Sequence, residues 1–176
     1  GAAPSPAPTG GEAMLPAVRV VAASGSGAGR LPAPYAGGQV ASGARLGMLG
    51  NVDIMDTPFN VTAYTAELIE NQQARNLVDV LDNDPSAHAA GPWHFDNFYI
   101  RGFRVLRDEI GFDGLYGIAS SEGILLEGLE RVEVLKGPST LLNGSSPEGS
   151  PGGAINLVPK RATDEPLTRF TGSYMN

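Results

Sequence analysis

Few residues of this sequence are of a type and spacing that could do chemistry. His88 and His94 share one stretch with Asp96, a spacing compatible with metal ligation. A closed metal site, however, takes three or four ligands from fixed positions, so solvated loop histidines are the plainer reading and no metal ligand is assigned. Gly25-Ser26-Gly27-Ala28-Gly29-Arg30 has the glycines of a phosphate loop, but no periodic helix follows to present N–H groups to an anion. Lys136-Gly137-Pro138-Ser139-Thr140 inverts the order of such a loop and lacks its upstream glycine. No Ser–His–acid arrangement has a signature, and Asp82/Asp84 and Asp108/Glu109 read as solvated turn charges rather than catalytic carboxylates. The absence of cysteine excludes thiol chemistry. The expectation is a chain with no catalytic residues, no enzyme activity and no cofactor of its own.

Recognition chemistry is what remains. Gly91-Pro92-Trp93-His94-Phe95 sets the only tryptophan, a histidine and a phenylalanine in a loop flanked by breakers. Leu115-Tyr116-Gly117-Ile118-Ala119-Ser120-Ser121 gives a second loop with an aromatic. Aromatic groups on loops above a rigid scaffold suit a bulky, partly apolar ligand. They could equally fold back over a thin core, and the residues alone leave both readings open.

The elements that must position these loops are short. Gly and Pro number 24 and 14 of 176 residues, well above the roughly 12% usual in globular chains, so much of the chain is turn and loop. Phe59 to Thr65 alternates, with Phe59, Val61 and Ala63 on one side, and reads as a strand. Ala66 to Gln73 reads as a helical turn or two. Ala74, Leu77, Val78 and Leu81 fall at helical spacing and predict an amphipathic helix that Asp84-Pro85 ends. Residues 86–97 read as a polar and aromatic loop, and Phe98 to Gly102 as a short strand. Further extended stretches are Val105–Leu106 and Phe112–Tyr116. Leu126 to Arg131 predicts a helical turn before strand Val132 to Lys136, and Pro138 to Leu142 a further turn. The Gly/Pro/Ser-rich run 143–153 leads into strand Ala154 to Val158. The pattern is α+β: a small sheet, short helices and long loops.

A formal charge of -7 from 12 basic and 19 acidic residues, with the cations scattered, argues against a nucleic-acid partner, which would need clustered cations. No apolar run reaches the roughly 18 residues of a spanning helix. Residues 1–13 cannot form a core, and a second stretch of small residues runs from 22 to 44. Between them lies the β-prone island Met14 to Val21. An extended apolar segment between two flexible arms suits strand addition to a partner's sheet, with an ordinary N-terminal strand of the domain as the alternative. The compact part is expected to start near Leu46, and Leu167 to Tyr174 alternates weakly, like a strand whose partners lie beyond it.

Three stretches, in this order and spacing, together resemble the plug of TonB-dependent outer-membrane siderophore receptors. The first is Thr57-Pro58-Phe59-Asn60-Val61-Thr62-Ala63-Tyr64-Thr65, continuing through Leu68 to Ala74 and Leu77 to Leu81. The second is Phe98-Tyr99-Ile100-Arg101-Gly102-Phe103 with Asp113-Gly114-Leu115. The third is Glu130-Arg131-Val132-Glu133-Val134-Leu135-Lys136-Gly137-Pro138-Ser139, with Leu142-Asn143-Gly144 and Pro151 to Arg161. The likeness runs from about Gly38 to Arg161. Two departures are Asn143, where an aromatic is common before glycine, and the extra residues Ser145 to Ser150.

The resemblance implies a mixed, roughly four-stranded sheet inside the lumen of a 22-stranded barrel, a lumen wide enough to be plugged. It divides the chain into a flexible arm (1–44), the plug (45–161), and a linker with the first barrel strand (162–176). The segment about 14–22 is similar to a TonB box, which implies that Leu15, Pro16, Ala17, Val18, Arg19 and Val20 pair with TonB of the TonB-ExbB-ExbD complex. The ligand implied is a ferric siderophore, an Fe3+ chelate whose iron is coordinated by its own oxygens. Its contacts are then expected from Trp93, His94, Phe95, Tyr116 and Ser120, with His94 donating a hydrogen bond to the chelate. The implied location is the outer membrane of a Gram-negative bacterium, with the N-terminus in the periplasm. An anti-sigma regulator is a further implied partner if a signalling domain precedes Gly1. Alternative cargoes are haem, vitamin B12 or a sugar, and the alternative of another class is a free-standing periplasmic binding module.

Overall fold

The computed structural model of the chain describes residues 33–91, 97–120, 123–138, 140–144, 149, 151–162, 168, 170 and 172. Along these run β1 (Gly43–Arg45), β2 (Asn51–Asp53), β3 (Asn60–Thr65), α1 (Ala66–Asn71), α2 (Leu77–Leu81), β4 (Ala87–Ala89), β5 (Phe98–Ile100), β6 (Phe103–Val105), β7 (Ile110–Phe112), β8 (Leu129–Lys136), α3 (Thr140–Asn143) and β9 (Gly153–Pro159). The centre is a mixed four-stranded sheet in the order β3-β8-β9-β7. Its first two pairings are antiparallel and the last is parallel. The α+β architecture with a small mixed sheet is as the sequence implies.

Period-two alternation gives the sheet two unlike faces. Tyr64, Val132, Val134, Ile110, Ile155 and Leu157 point to the larger core, where Leu68 and Ile69 of α1, Leu77, Val80 and Leu81 of α2, and Phe98, Ile100 and Val105 pack on them. Val61, Ala63 and Leu135 point the other way, into a smaller cluster with Ala41, Ala44, Leu46 and Leu142. The hairpin β1–β2 covers that second face, and β4-β5-β6 forms a separate antiparallel sheet beside the first core.

Several boundaries differ from the sequence expectation for identifiable reasons. The helix expected from Ala74 starts at Leu77, because Asn76 and Asp79 form a capping box in which each side chain accepts from the other's backbone N–H. Within the expected loop 86–97, Ala87–Ala89 forms β4 by pairing with β5. Alanine and histidine carry no strand signal, and only the partner strand makes them extended. Phe112 to Tyr116 is not one extended stretch, since Phe112 and Leu115 bridge each other around a turn. β8 begins at Leu129, with an irregularity between Leu129 and Arg131. Packing also reaches back before Leu46: Ala41 N–H donates to Ala63 O at 2.8 Å and Thr65 N–H to Gln39 O at 3.2 Å.

Entry into β9 depends on two glycines that touch backbone. A Cβ on Gly152 would stand 2.3 Å from the Ile100 carbonyl oxygen, and one on Gly153, at φ +152°, 2.1 Å from that of Leu135. Here the two sheets meet at backbone distance.

Candidate functional site

The loop that carries Tyr116 and Ser120 springs from a two-residue turn. Asp113 and Gly114 have φ of 53° and 86°, the positive values that an Asp-Gly hairpin turn supplies. Phe112 and Leu115 exchange backbone hydrogen bonds of 2.8 and 3.0 Å across it. The turn is then fixed from the sheet. Asp113 N–H donates to Leu157 O at 2.8 Å, and Gly114 N–H donates to Asn156 Oδ1 at 2.9 Å. The Asp113 carboxylate binds two guanidinium groups, that of Arg45 on β1 and that of Arg161 beyond β9, the latter at 3.0 Å.

Beneath this turn lies a polar row that crosses the sheet. Ala63, Glu133, Asn156 and Gly111 stand opposite one another on β3, β8, β9 and β7. The small residues at the ends of the row leave room for the two polar side chains to lie along the sheet. Asn156 Nδ2 donates to one Glu133 oxygen at 2.9 Å, and Arg45 N–H donates to the other at 2.7 Å. Two residues along β8, Arg131 Nη1 donates to Gly43 O at 2.7 Å. Glu133 and Arg131 are 2% and 4% exposed, so each charge has left water. Burial pushes the Glu133 carboxyl up to about 7, against the opposing pull of the Asn156 and Arg45 hydrogen bonds and the Arg131 and Arg45 charges. Burial likewise lowers the Arg131 pKa, opposed by Glu130 and Glu133.

A second buried charge sits at the far end of β8. Asp84 is 1% exposed; one of its oxygens accepts from Ser86 Oγ and Ser86 N–H at 2.6 and 2.9 Å. The other lies 2.9 Å from Lys136 Nζ. Burial opposes ionisation of Asp84, but the Ser86 and Lys136 interactions outweigh it and hold the carboxyl below its usual range. The Tyr64 hydroxyl titrates well above its usual range, through burial and the nearby Asp84. Glu109, also 1% exposed, accepts from Leu106 N–H at 2.9 Å.

Asp84 and Glu109 therefore correct the reading of these acids as solvated turn charges: both are buried and structural. The row of Glu133, Asn156, Arg45 and Arg131 was not singled out in the sequence. Charges at alternate positions of a strand ordinarily mark a solvent face, and here a hairpin covers that face. The available signal was Arg131 and Glu133 interleaved with Val132 and Val134 in a strand long enough to be central.

Of the candidate ligand contacts, Tyr116 and Ser120 lie on the loop after the Asp113–Gly114 turn. The Tyr116 ring is half-buried, and its hydroxyl is turned inward with no hydrogen-bond partner among the described residues. Ser120 is exposed. On the same loop Leu115 and Ile118 are 62% and 56% exposed, an apolar loop surface. Trp93, His94 and Phe95 lie outside the described residues, as do Leu15, Pro16, Ala17, Val18, Arg19 and Val20. His88 is exposed on β4, paired opposite Tyr99. Among the described residues no group of three or more His, Asp or Glu could hold a metal ion. No described helix is long and apolar enough to cross a membrane, which leaves a β-barrel unaddressed.

Comparison with known proteins agrees with this geometry. The profile of the TonB-dependent Receptor Plug Domain matches residues 53–154. The ferrichrome receptor FcuA of Yersinia enterocolitica is 46% identical over 143 residues, covering 80% of this chain and 19% of that one. The crystal structure of BauA, the ferric preacinetobactin receptor of Acinetobacter baumannii, superposes with a TM-score of 0.69 at 47% identity, over 75% of this chain and 20% of that one. The ferripyoverdine receptor of Pseudomonas aeruginosa bound to ferripyoverdine gives a TM-score of 0.63 at 26% identity, over 77% and 18%. These relatives are receptors by name, in keeping with a sequence that offers no catalytic motif. The chain spans about a fifth of their length. It belongs to the TonB-dependent receptor plug domain family.

Proposed function

We propose that this chain is the plug of an outer-membrane receptor that binds a ferric siderophore outside the cell and passes it to the periplasm by TonB-coupled active transport. The observation that carries the reading is the match of residues 53–154 to the plug profile, together with identities of 46% and 47% to two ferric-chelate receptors. The barrel around it has 22 strands, and the segment Leu15 to Val20 adds as a strand to TonB. An anti-sigma regulator joins these partners in a receptor with a signalling domain ahead of Gly1. The chelate meets the Trp93–Phe95 loop and the loop of Tyr116 and Ser120; exposed Leu115 and Ile118 give the latter the apolar character that a bulky chelate needs.

Ligand contact is tested in the full-length receptor by the affinity of variants that keep the parent fold. Trp93→Ala and Tyr116→Ala each lose more than about 1 kcal/mol of binding to the cognate ferric siderophore, as expected for truncating a rigid aromatic in a desolvated contact. Tyr116→Phe binds like the parent, because its hydroxyl is turned inward. Parental affinity in both alanine variants moves recognition to the barrel loops. Tight binding of haem, vitamin B12 or a sugar instead of an iron chelate reassigns the cargo. Ligand binding by the chain without any barrel makes it a free-standing binding module.

Strand addition is tested by Val18→Pro, which removes a backbone donor and fixes φ near -65°. One lost ladder bond weakens TonB pairing by about 1–3 kcal/mol, roughly 5- to 150-fold. Uptake falls while external ligand binding is unchanged. Parental uptake by this variant refutes the assignment of the segment.

A further inference from the structure

The contacts around the Asp113–Gly114 turn close on themselves. Gly114 N–H donates to Asn156 Oδ1 on β9, and Asn156 Nδ2 donates to one oxygen of Glu133 on β8. The other Glu133 oxygen accepts from Arg45 N–H on β1. The guanidinium of the same Arg45 then returns to the Asp113 carboxylate. The path from Gly114 through Asn156, Glu133 and Arg45 to Asp113 is a closed ring.

The residue types suit each place in it. Asparagine accepts at one end and donates at the other, so Asn156 serves an amide and a carboxylate at once. Aspartate there would set two carboxylates side by side, and leucine would leave both partners unpaired. Gly111 leaves the amide its room, since a Cβ on it would stand 3.2 Å from Asn156 Oδ1. Asp113 holds a φ of 53°, which aspartate tolerates better than most residues with a Cβ.

Two sides of the ring are fixed and two are peripheral. Asn156 and Glu133 lie on the middle strands of the sheet, which pair with each other from Leu129 to Lys136. The turn and β1 lie outside that ladder, and each has further attachments of its own. β1 is held by Arg131 on the Gly43 carbonyl, by Ala44 in the second apolar cluster, and by the neighbouring bonds of residues 39–41 to β3. The turn is held by Leu157 O and by Arg161. What the Arg45–Asp113 pair adds is a direct tie between the two. We propose that the ring makes Asp113 a positioning residue for the loop of Tyr116 and Ser120 and couples the base of that loop to β1, so that loosening either end loosens the other. The part this plays in ligand binding rests on the proposed function, whereas the coupling itself does not.

The experiment is amide hydrogen exchange by NMR on the 176-residue chain at one pH. It reads Leu115, whose amide donates to Phe112 O, and Arg45, whose amide donates to Glu133. Val134 in the centre of β8 reports global opening. Arg45→Met removes the guanidinium and keeps the backbone donor. Leu115 protection should fall about fivefold in it, the upper end for a part-exposed ion pair. Arg45→Lys keeps a cation for Asp113 and should restore most of that loss. Asp113→Asn keeps a residue at home in the left-handed turn, and Arg45 protection should fall about fivefold although its acceptor is Glu133. Arg161→Met breaks a contact outside the ring, so it should lower Leu115 protection and leave Arg45 as in the parent. Val134 should stay within about twofold throughout.

Unchanged Leu115 protection in Arg45→Met, or unchanged Arg45 protection in Asp113→Asn, overturns the proposal. Losses that Val134 shares equally overturn it too, since they report general destabilisation. So does an Arg161→Met variant that loosens Arg45 as much as Asp113→Asn does. Either of the two ring variants decides the matter if the other fails to fold. No readout uses a ligand, so failure here leaves the receptor assignment standing. A full-length receptor that binds no iron chelate overturns that assignment, and the positioning role with it, by a separate measurement.

Discussion

Gly153→Ala is expected to destabilise the native fold by about 4 kcal/mol or more. The new methyl would lie 2.1 Å from the Leu135 carbonyl oxygen and 3.1 Å from Ile100 Cγ2. Both neighbours are anchored: Leu135 pairs with Ala154 in the central β8–β9 ladder, and Ile100 is fully buried. Relief requires separating the two middle strands of the sheet. The backbone at Gly153 also has φ of +152°, which an alanine adopts only under strain. Together these cost about 4 kcal/mol or more, a large share of the roughly 5–15 kcal/mol typical of a domain. Gly128→Ala is the matched control, since its Cβ would meet nothing within 4 Å, and its stability should stay within about 0.5 kcal/mol of the parent. Circular dichroism and thermal denaturation of both variants decide the point. A cooperative transition near the parental temperature in Gly153→Ala would show that β8 and β9 can part locally without unfolding.

Lys136→Met is expected to be nearly as damaging, for an electrostatic reason. It removes the ammonium 2.9 Å from Asp84 and leaves a fully buried carboxylate with Ser86 and the nearby Tyr64 hydroxyl but no counter-charge from Lys136. Removing one member of a buried pair costs about 3–5 kcal/mol. In the parent, the lowered pKa of Asp84 contributes stability that is present above the usual aspartate range and is lost as pH falls through the lowered value. Without Lys136 the balance reverses, because burial then dominates and favours the neutral acid. The penalty should therefore shrink as acid neutralises Asp84, and urea denaturation at pH 7, 5 and 3 reads this directly. Asp84→Leu combined with Lys136→Met should recover much of the loss, since a buried pair replaced by apolar groups is often tolerated. A loss below about 1 kcal/mol at pH 7 in the single variant means that water reaches Asp84 and the pair is not buried in solution.

The parts of the fold that were legible in the sequence are those whose side chains alternate strongly. Val61 and Ala63 against Tyr64, Val132 and Val134 against Arg131 and Glu133, and Ile155 and Leu157 against Asn156 each give a strand that the structure contains. The strands that were missed, β1, β2 and β4, are three residues each and rich in Gly, Ala, Asn or Asp. Such segments become extended only because something pairs with them. The site was legible as loops and hardly at all as chemistry. Asp113-Gly114 was read as part of an extended stretch although its residue types suit a turn, and nothing local tells that Arg45, Asn156 and Arg161 converge on it from two distant parts of the chain. Buried Glu133 was hidden by the same rule that found its neighbours, since a charge every second residue normally faces solvent.

The strand order β3-β8-β9-β7 also dictates when this domain can come into being. Asn60 of β3 finds its partner in Lys136, and Ile110 of β7 finds its own in Ile155. Each outer strand of the sheet must wait for a middle strand made much later. A chain emerging N-terminus first, whether from a ribosome or through a membrane pore, can close little of this sheet until β8 and β9 have followed. Long-range pairings of this kind form slowly, and an incomplete sheet leaves its apolar strands uncovered. The topology thus keeps the leading half of the chain threadable for as long as the trailing half is missing, and makes assembly a single late event rather than a progressive one.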